Sequence, residues 1–133
     1  MSDSVAIRVV SVDDHPMLRE GMAALIGDQP DMCLVAQAAN GREAIQQFRE
    51  HRPDVMLMDL RLPDLSGIET LRAIRAEFPE ARVVILTTFE NDAETRRAVE
   101  AGARGYVLKS MPPGRLLDVI RDVHEGKILF PTR

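Results

Sequence analysis

Val55-Met56-Leu57-Met58 is a solid apolar block with no polar residue at alternate positions. A half-exposed strand alternates, so an unbroken block suits a strand covered on both faces, as in a parallel sheet. The block delivers one carboxylate, Asp59, and then breaks into a loop containing Pro63 and Gly67. Asp59 is therefore expected where a buried strand ends, the edge at which open α/β sheets bind ligands. The chemistry of the chain is expected to centre on that residue.

The pattern repeats along the chain. Ile7 to Val12 reads as a first strand running into Asp13-Asp14, and His15 to Ile26 carries Leu18, Met22, Leu25 and Ile26 at helical spacing. Cys33 to Ala39 is a second, more weakly apolar strand, suited to a sheet edge. Asn40-Gly-Arg-Glu43 and Ser66-Gly-Ile-Glu69 have the spacing of capping boxes. The helix after the first buries Ala44, Ile45 and Phe48, and the helix after the second buries Ile68, Leu71 and Ile74. Val83 to Leu86 is a fourth strand, ending in Thr87-Thr88. Asn91 caps a helix over Asp92 to Ala101, which has mainly Val99 and alanines to bury and is a candidate for movement. Tyr106 to Leu108 is a short fifth strand ending in Lys109. A last helix starts at Pro112 or Pro113, turns Leu116, Ile120 and Val123 inward and stops at Gly126. Five strand–helix units make an α/β, doubly wound sandwich. In a parallel sheet Asp13-Asp14, Asp59, Thr87 and Lys109 then share one edge.

Composition narrows the function classes. Seventeen Lys and Arg against 21 Asp and Glu give a net charge of −4, with no basic cluster, which argues against nucleic-acid binding by this chain alone. No apolar run is long enough to span a membrane. Met1 to Ala6 lacks the regions of a signal peptide. Cys33 cannot form an internal disulfide, which fits a cytoplasmic protein, and it reads as a small buried hydrophobe in a strand.

Three carboxylates held together repel one another, and a divalent cation relieves this. Oxygen donors with few protein contacts suit Mg²⁺, which readily takes phosphate oxygens as further ligands. A carboxylate can also act as a nucleophile and form an aspartyl phosphate. Lys109 would add positive charge and the Thr87 hydroxyl a donor. Singly, each residue has a bland reading. Asp14 could cap the first helix, Asp59 begin a turn, Thr87 be an ordinary strand residue and Lys109 a solvated charge. Together, at the ends of successive strands, they form a site. His15, His51 and His124 are too dispersed for a metal cluster, and His15 reads as part of the first helical turn.

Asp13-Asp14, Asp59 with Pro63 and Gly67, Thr87, and Tyr106 with Lys109 resemble the receiver domain of two-component response regulators. The stretches Asp13 to Gly21, Leu86 to Phe89 and Gly105 to Lys109 resemble its NarL/FixJ (LuxR-type) subfamily in particular. The resemblance implies a flavodoxin-like five-stranded sheet of order 2-1-3-4-5 with five helices, in three α/β/α layers. It implies residues 1–6 as a flexible N-terminus, 7–126 as the receiver domain and 127–133 as the start of a linker. Asp59 would be the phosphoryl acceptor and a metal ligand. Asp14 would bind Mg²⁺ (or Mn²⁺) directly, Asp13 mainly through water, and the Arg61 backbone carbonyl would complete the protein ligands. Thr87 and Lys109 would bind phosphoryl oxygens, and Tyr106 would change rotamer as Thr87 moves. Arg61 and Phe89 would flank the pocket and tune hydrolysis. The donor would be a phosphohistidine on a sensor histidine kinase, with homodimerisation on phosphorylation.

Two departures stand out. Ser110 follows Lys109 where many receivers have proline, often with a cis bond, and Thr88 replaces a frequent alanine. The subfamily also implies control of transcription through a C-terminal helix-turn-helix domain that these residues do not include, so the chain is expected to be part of a longer one. DNA would be reached only through that domain. The alternative is a stand-alone receiver working by protein contacts or phosphorelay. A phosphohydrolase reading would need a general acid beside Asp59 and a substrate cap, and neither is evident in the sequence.

Overall fold

β3 (Val55–Asp59) shows why unbroken apolar runs were needed. Successive strand side chains point to opposite faces, and here both faces are covered. Met56 and Met58 join one core with Val10, Val12, Phe48, Leu71, Ile74 and Ile85. Val55 and Leu57 join the other with Val9, Ile26, Val84, Leu116 and Ile120. The computed structural model describes residues 6–88 and 91–130. The remaining elements are β1 (Ile7–Val12), α1 (Pro16–Gly27), β2 (Met32–Ala38), α2 (Gly41–His51), α3 (Gly67–Glu77), β4 (Val83–Thr87), α4 (Asp92–Ala101), β5 (Gly105–Leu108) and α5 (Pro113–His124).

The five strands are all parallel, in the order β2-β1-β3-β4-β5. Buried residues of α2, α3 and α4 belong to the first core, and those of α1 and α5 to the second. This is the expected three-layer, doubly wound architecture. The strand order reverses between β1 and β3, the switch point at which such sheets form a crevice. Asp13 follows β1 and Asp59 ends β3, so both stand at that crevice.

Local chemistry sets the helix starts. Ser66 and Glu69 form the full capping box of α3. Asn40 Oδ1 accepts the Glu43 N–H at 2.8 Å, but the Glu43 carboxylate accepts from Ala39 rather than from Asn40. Asn91 Oδ1 accepts the N–H groups of Ala93 and Glu94. Pro113 occupies the first turn of α5, where a missing N–H costs nothing.

Several expectations need correction. Cys33 is exposed, because β2 is an edge strand whose second residue is uncovered. α1 starts at Pro16 with His15, not Asp14, at its cap, and Leu18 is exposed while Ile26 is buried. In α4 Ala98 is buried and Val99 is half exposed. One residue further along a helix turns about 100° away, so the small Ala98 takes the inward position. The segment expected to begin a linker carries structure in its C-terminal tail: Leu129 pairs in parallel with Gly105, donating to the Arg104 carbonyl and accepting from the Tyr106 N–H. The rest of that tail, residues 131–133, and the N-terminal residues 1–5 lie outside the described residues, as does Phe89. No peptide bond among the described residues is cis, so the chain after Lys109 continues in trans.

Candidate functional site

Four strand ends converge as their register requires. Asp59 pairs with Leu86, and Thr87 with Leu108, so Asp59, Thr87 and Lys109 follow one another across neighbouring strands. The Lys109 N–H donates to the Thr87 carbonyl at 2.7 Å, which fixes the lysine at the end of β5. Lys109 Nζ then donates to Asp59 Oδ2 at 2.8 Å and to Asp13 Oδ2 at 3.2 Å. Asp59, Asp13 and Thr87 are buried, and Lys109 is mostly covered.

The second oxygen of each acid is also held. Asp59 Oδ1 accepts the Arg61 N–H at 3.1 Å. Asp13 Oδ1 accepts the His15 N–H at 2.8 Å and lies 2.8 Å from His15 Nδ1, which is also 3.1 Å from Asp14 Oδ1. Arg19 donates to the Asp13 carbonyl. A cleft of about 270 Å³ opens over these groups, lined by Asp14, His15, Asp59, Arg61, Pro63, Thr87, Thr88 and Lys109. Asp13 does not line this cleft but meets it through the Lys109 ammonium.

Burial opposes charge on Asp13, but the His15 N–H, the His15 ring and Lys109 outweigh it and hold the carboxyl below its ordinary 3.8. Burial likewise opposes charge on Lys109, and the carboxylates of Asp59 and Asp13 reverse the balance and raise its pKa above 10.5. Asp13 and Lys109 thus favour each other's charged forms. Ligand atoms of Asp13, Asp14, His15 and Asp59 all lie within 4.8 Å of one another, a grouping able to hold a metal ion. Three carboxylates facing one ammonium leave an excess of negative charge, as a site for a hard divalent cation requires.

The sequence-based residues Asp13, Asp14, Asp59, Arg61, Thr87 and Lys109 therefore come together. Tyr106 is in the neighbourhood but not in the cleft. It is buried in the first core, paired in register with Ile85. His15 caps α1, at the helix start where the sequence put it, and it also lines the cleft. Its position next to the acid pair was the available signal. Asp64 and Glu94 were missed. Asp64 accepts the Gly41 N–H at 2.7 Å and the Arg42 N–H at 3.0 Å, tying the loop after β3 to the start of α2. Glu94 lies 3.8 Å from the Arg61 guanidinium.

A parallel five-stranded sheet with an acid triplet, a threonine and a lysine at its carboxyl edge defines a class of phosphoryl-switch proteins. The family model described as the response regulator receiver domain matches residues 9–121, and the chain belongs to that family. The response regulator protein VraR of Staphylococcus epidermidis is 37% identical over 126 residues, covering 95% of this chain and 60% of the relative. The uncharacterized transcriptional regulatory protein YxjL of Bacillus subtilis is 40% identical over 126 residues, 95% of this chain and 58% of the relative. A solved LuxR-family two-component response regulator from Aurantimonas sp. SI85-9A1 superimposes with a TM-score of 0.89 at 42% identity, covering 93% of this chain and 89% of that one. These relatives support the NarL/FixJ subfamily. The chain spans about 60% of the length of the curated relatives it matches. It is a receiver domain of two-component response regulators, proteins that interact with sensor kinases, and such domains are generally not catalytic enzymes. No helix among the described residues is long and apolar enough to cross a membrane.

Proposed function

We propose that Asp59 accepts a phosphoryl group from a phosphohistidine of a sensor histidine kinase, and that the resulting charge switches the conformation of the domain. An Asp59 carboxylate oxygen forms a bond to phosphorus as the bond from phosphorus to the histidine nitrogen breaks, and the electron pair of that bond stays on the imidazole. The observation that carries this reading is the placement of Lys109 Nζ, 2.8 Å from the would-be nucleophile. Phosphoryl transfer depends on positioning and charge neutralisation more than on covalent help. Lys109 is placed to receive a phosphoryl oxygen without leaving its strand end. Thr87, one strand nearer, offers its hydroxyl.

The acid grouping fits Mg²⁺, and Mn²⁺ suits the same donors. Asp14 and Asp59 would hold it directly, Asp13 mainly through water, and the Arg61 carbonyl would complete the set. When bound, the ion supplies positive charge to the phosphoryl oxygens. The chain's own groups then divide the work. His15 orients Asp13 and Asp14, the Arg61 N–H orients Asp59, and Lys109 balances the acids in the absence of the ion.

Phosphorylation adds roughly −1.5 to −2 charges if it ionises like other protein phosphates. Thr87 and Lys109 would be drawn toward the new group. Tyr106 would follow Thr87, and the thinly anchored α4 would repack. Residues 7–126 would form the receiver, followed by a linker from 127. In a longer chain the output would be transcriptional control through a C-terminal helix-turn-helix domain, with homodimerisation on phosphorylation, in the cytoplasm. A stand-alone receiver acting in a phosphorelay is the alternative. Intact-protein mass after incubation with acetyl phosphate and Mg²⁺ tests the reading. One added phosphoryl group that is lost in Asp59→Asn and without metal supports it, and a folded, metal-bound protein with no adduct overturns it.

A further inference from the structure

Asp13 divides its two carboxylate oxygens between two partners. Oδ2 accepts from the Lys109 ammonium, and Oδ1 faces the His15 ring. His15 Nδ1 stands 2.8 Å from Asp13 Oδ1 and 3.1 Å from Asp14 Oδ1. Two ligands at right angles around an octahedral ion, each about 2.1 Å from it, lie about 3.0 Å apart. The His15 nitrogen is therefore spaced from both acids as a neighbouring ligand would be. Ligand atoms of Asp13, Asp14, His15 and Asp59 all fall within 4.8 Å of one another. The backbone holds the ring in this place. The His15 N–H donates to Asp13 Oδ1 at 2.8 Å, and Pro16 begins α1 directly after it. Nε2 makes no hydrogen bond to any described residue, and the side chain is 62% exposed. The proton of the neutral ring can therefore sit on Nε2, in water, which leaves the Nδ1 lone pair for an ion.

We infer that His15 Nδ1 is a further ligand of this cleft, one that Mg²⁺ leaves aside and that Zn²⁺, Ni²⁺ and Co²⁺ take together with the Asp14 and Asp59 carboxylates. The inference rests on the proposed reading that the acid grouping holds a divalent cation. Mg²⁺ is a hard ion that prefers oxygen and keeps several waters. Imidazole nitrogen suits Zn²⁺ and the later first-row ions. Those ions also bind oxygen donors more tightly along the series, and that gain needs no ring. His15 adds a gain of its own, so the cleft sorts its ions by donor type. An ion held in this way takes the place of Mg²⁺ beside the acceptor. A ring that only steadied the two carboxylates would support every divalent ion alike, and this difference separates the two roles.

The experiment measures the Kd of Mg²⁺ and of Zn²⁺ by calorimetry for the wild-type chain, His15→Phe and Asp14→Asn. Phenylalanine keeps a ring at this exposed place, and with it the backbone N–H bond to Asp13, but removes both nitrogens. Long-range proton–nitrogen NMR of the histidine rings reads which nitrogen each ion meets. The expected result is a loss of Zn²⁺ affinity in His15→Phe at least about tenfold greater than its loss of Mg²⁺ affinity, the low end of what altering a metal ligand's surroundings costs. Zn²⁺ should move the Nδ1 signal of His15 far more than Mg²⁺ does. An equal loss for both ions makes the ring a support for the acids and overturns the inference. Undiminished Zn²⁺ affinity in His15→Phe, with the shift on His51 or His124, shows an adventitious ion only and overturns it too. Both results leave the Mg²⁺ site standing. Mg²⁺ affinity that survives Asp14→Asn overturns the cation site and the inference together.

Discussion

Lys109 Nζ and Asp59 Oδ2 lie 2.8 Å apart although 50 positions separate the two residues, and the same ammonium reaches Asp13 across 96 positions. One cation therefore ties together the ends of β1, β3 and β5. On the proposed function, a phosphoryl group on Asp59 would break or replace these bonds, and Lys109 would be the first residue to register it. Lys109→Met is expected to accept a phosphoryl group from acetyl phosphate, more slowly than wild type, but not to transmit it. Amide NMR shifts of α4 on phosphorylation report this: large in the wild type, and small in the variant at equal phosphorylation. Equal shifts in both would remove Lys109 from the switch.

Gly67 shows why α3 must start on a glycine where it follows the loop after β3. A Cβ at this position would lie 2.5 Å from the Asp59 carbonyl oxygen and 2.9 Å from the Leu60 Cα. Both are backbone atoms, and the Gly67 N–H already bonds to the Leu60 carbonyl at 2.7 Å. Gly67→Ala must therefore shift the segment that carries Asp59. A loss of about 1–3 kcal/mol is expected, as for other overpacked sites, read from urea unfolding. The initial rate of phosphorylation by acetyl phosphate should fall with it.

Asp64 caps a helix it does not belong to. Its carboxylate accepts from Gly41 and Arg42 at the first turn of α2, and from its neighbour Leu65. Asp64→Ala should cost about 0.5–2 kcal/mol, the usual range for losing a cap. Desolvation pushes the Asp64 carboxyl up, but these N–H groups outweigh it and hold its pKa below 3.8. A depressed folded value means that the stabilisation is complete above 3.8 and is lost as pH falls through the folded pKa. The gap in unfolding midpoint between wild type and Asp64→Ala should therefore be constant near neutrality and close in acid. A gap that persists at the lowest pH would point to packing rather than charge.

Mg²⁺ should stabilise the folded domain, because the grouped acids of Asp13, Asp14 and Asp59 exist only after folding. At a hundred times its Kd the ion would contribute about 2.7 kcal/mol. The thermal midpoint should rise with Mg²⁺ in the wild type and much less in Asp14→Asn. It should return to the starting value with chelator. An equal rise in both proteins would place the ion elsewhere.

The strands and the reactive strand ends were legible because their signals are local, whereas the order of the sheet came only with the family resemblance. Val55–Met58 and Val83–Leu86 announce burial on both faces within four residues, and the polar residue that ends each run marks the edge. Asp64 escaped notice because its partners at Gly41 and Arg42 are 23 and 22 positions away. The Arg61–Glu94 pair and the pairing of Leu129 with Gly105 are likewise products of packing, with no periodicity to reveal them. Cys33 failed for a related reason. Its residue type favours burial, but its place on an edge strand decides otherwise. His15 stands at the start of the first helix, as its position after the acid pair suggested, and its ring contacts with Asp13 and Asp14 are what the sequence could not show.

Borohydride reduction of the phosphorylated chain, followed by peptide mass mapping, tests the central claim most directly. The reagent converts an aspartyl phosphate to homoserine and leaves free carboxylates intact, so it records which acid carried the group. The account expects homoserine at position 59 alone, and none when donor or Mg²⁺ is omitted. Homoserine at Asp13 or Asp14, or at position 59 without donor, would contradict it.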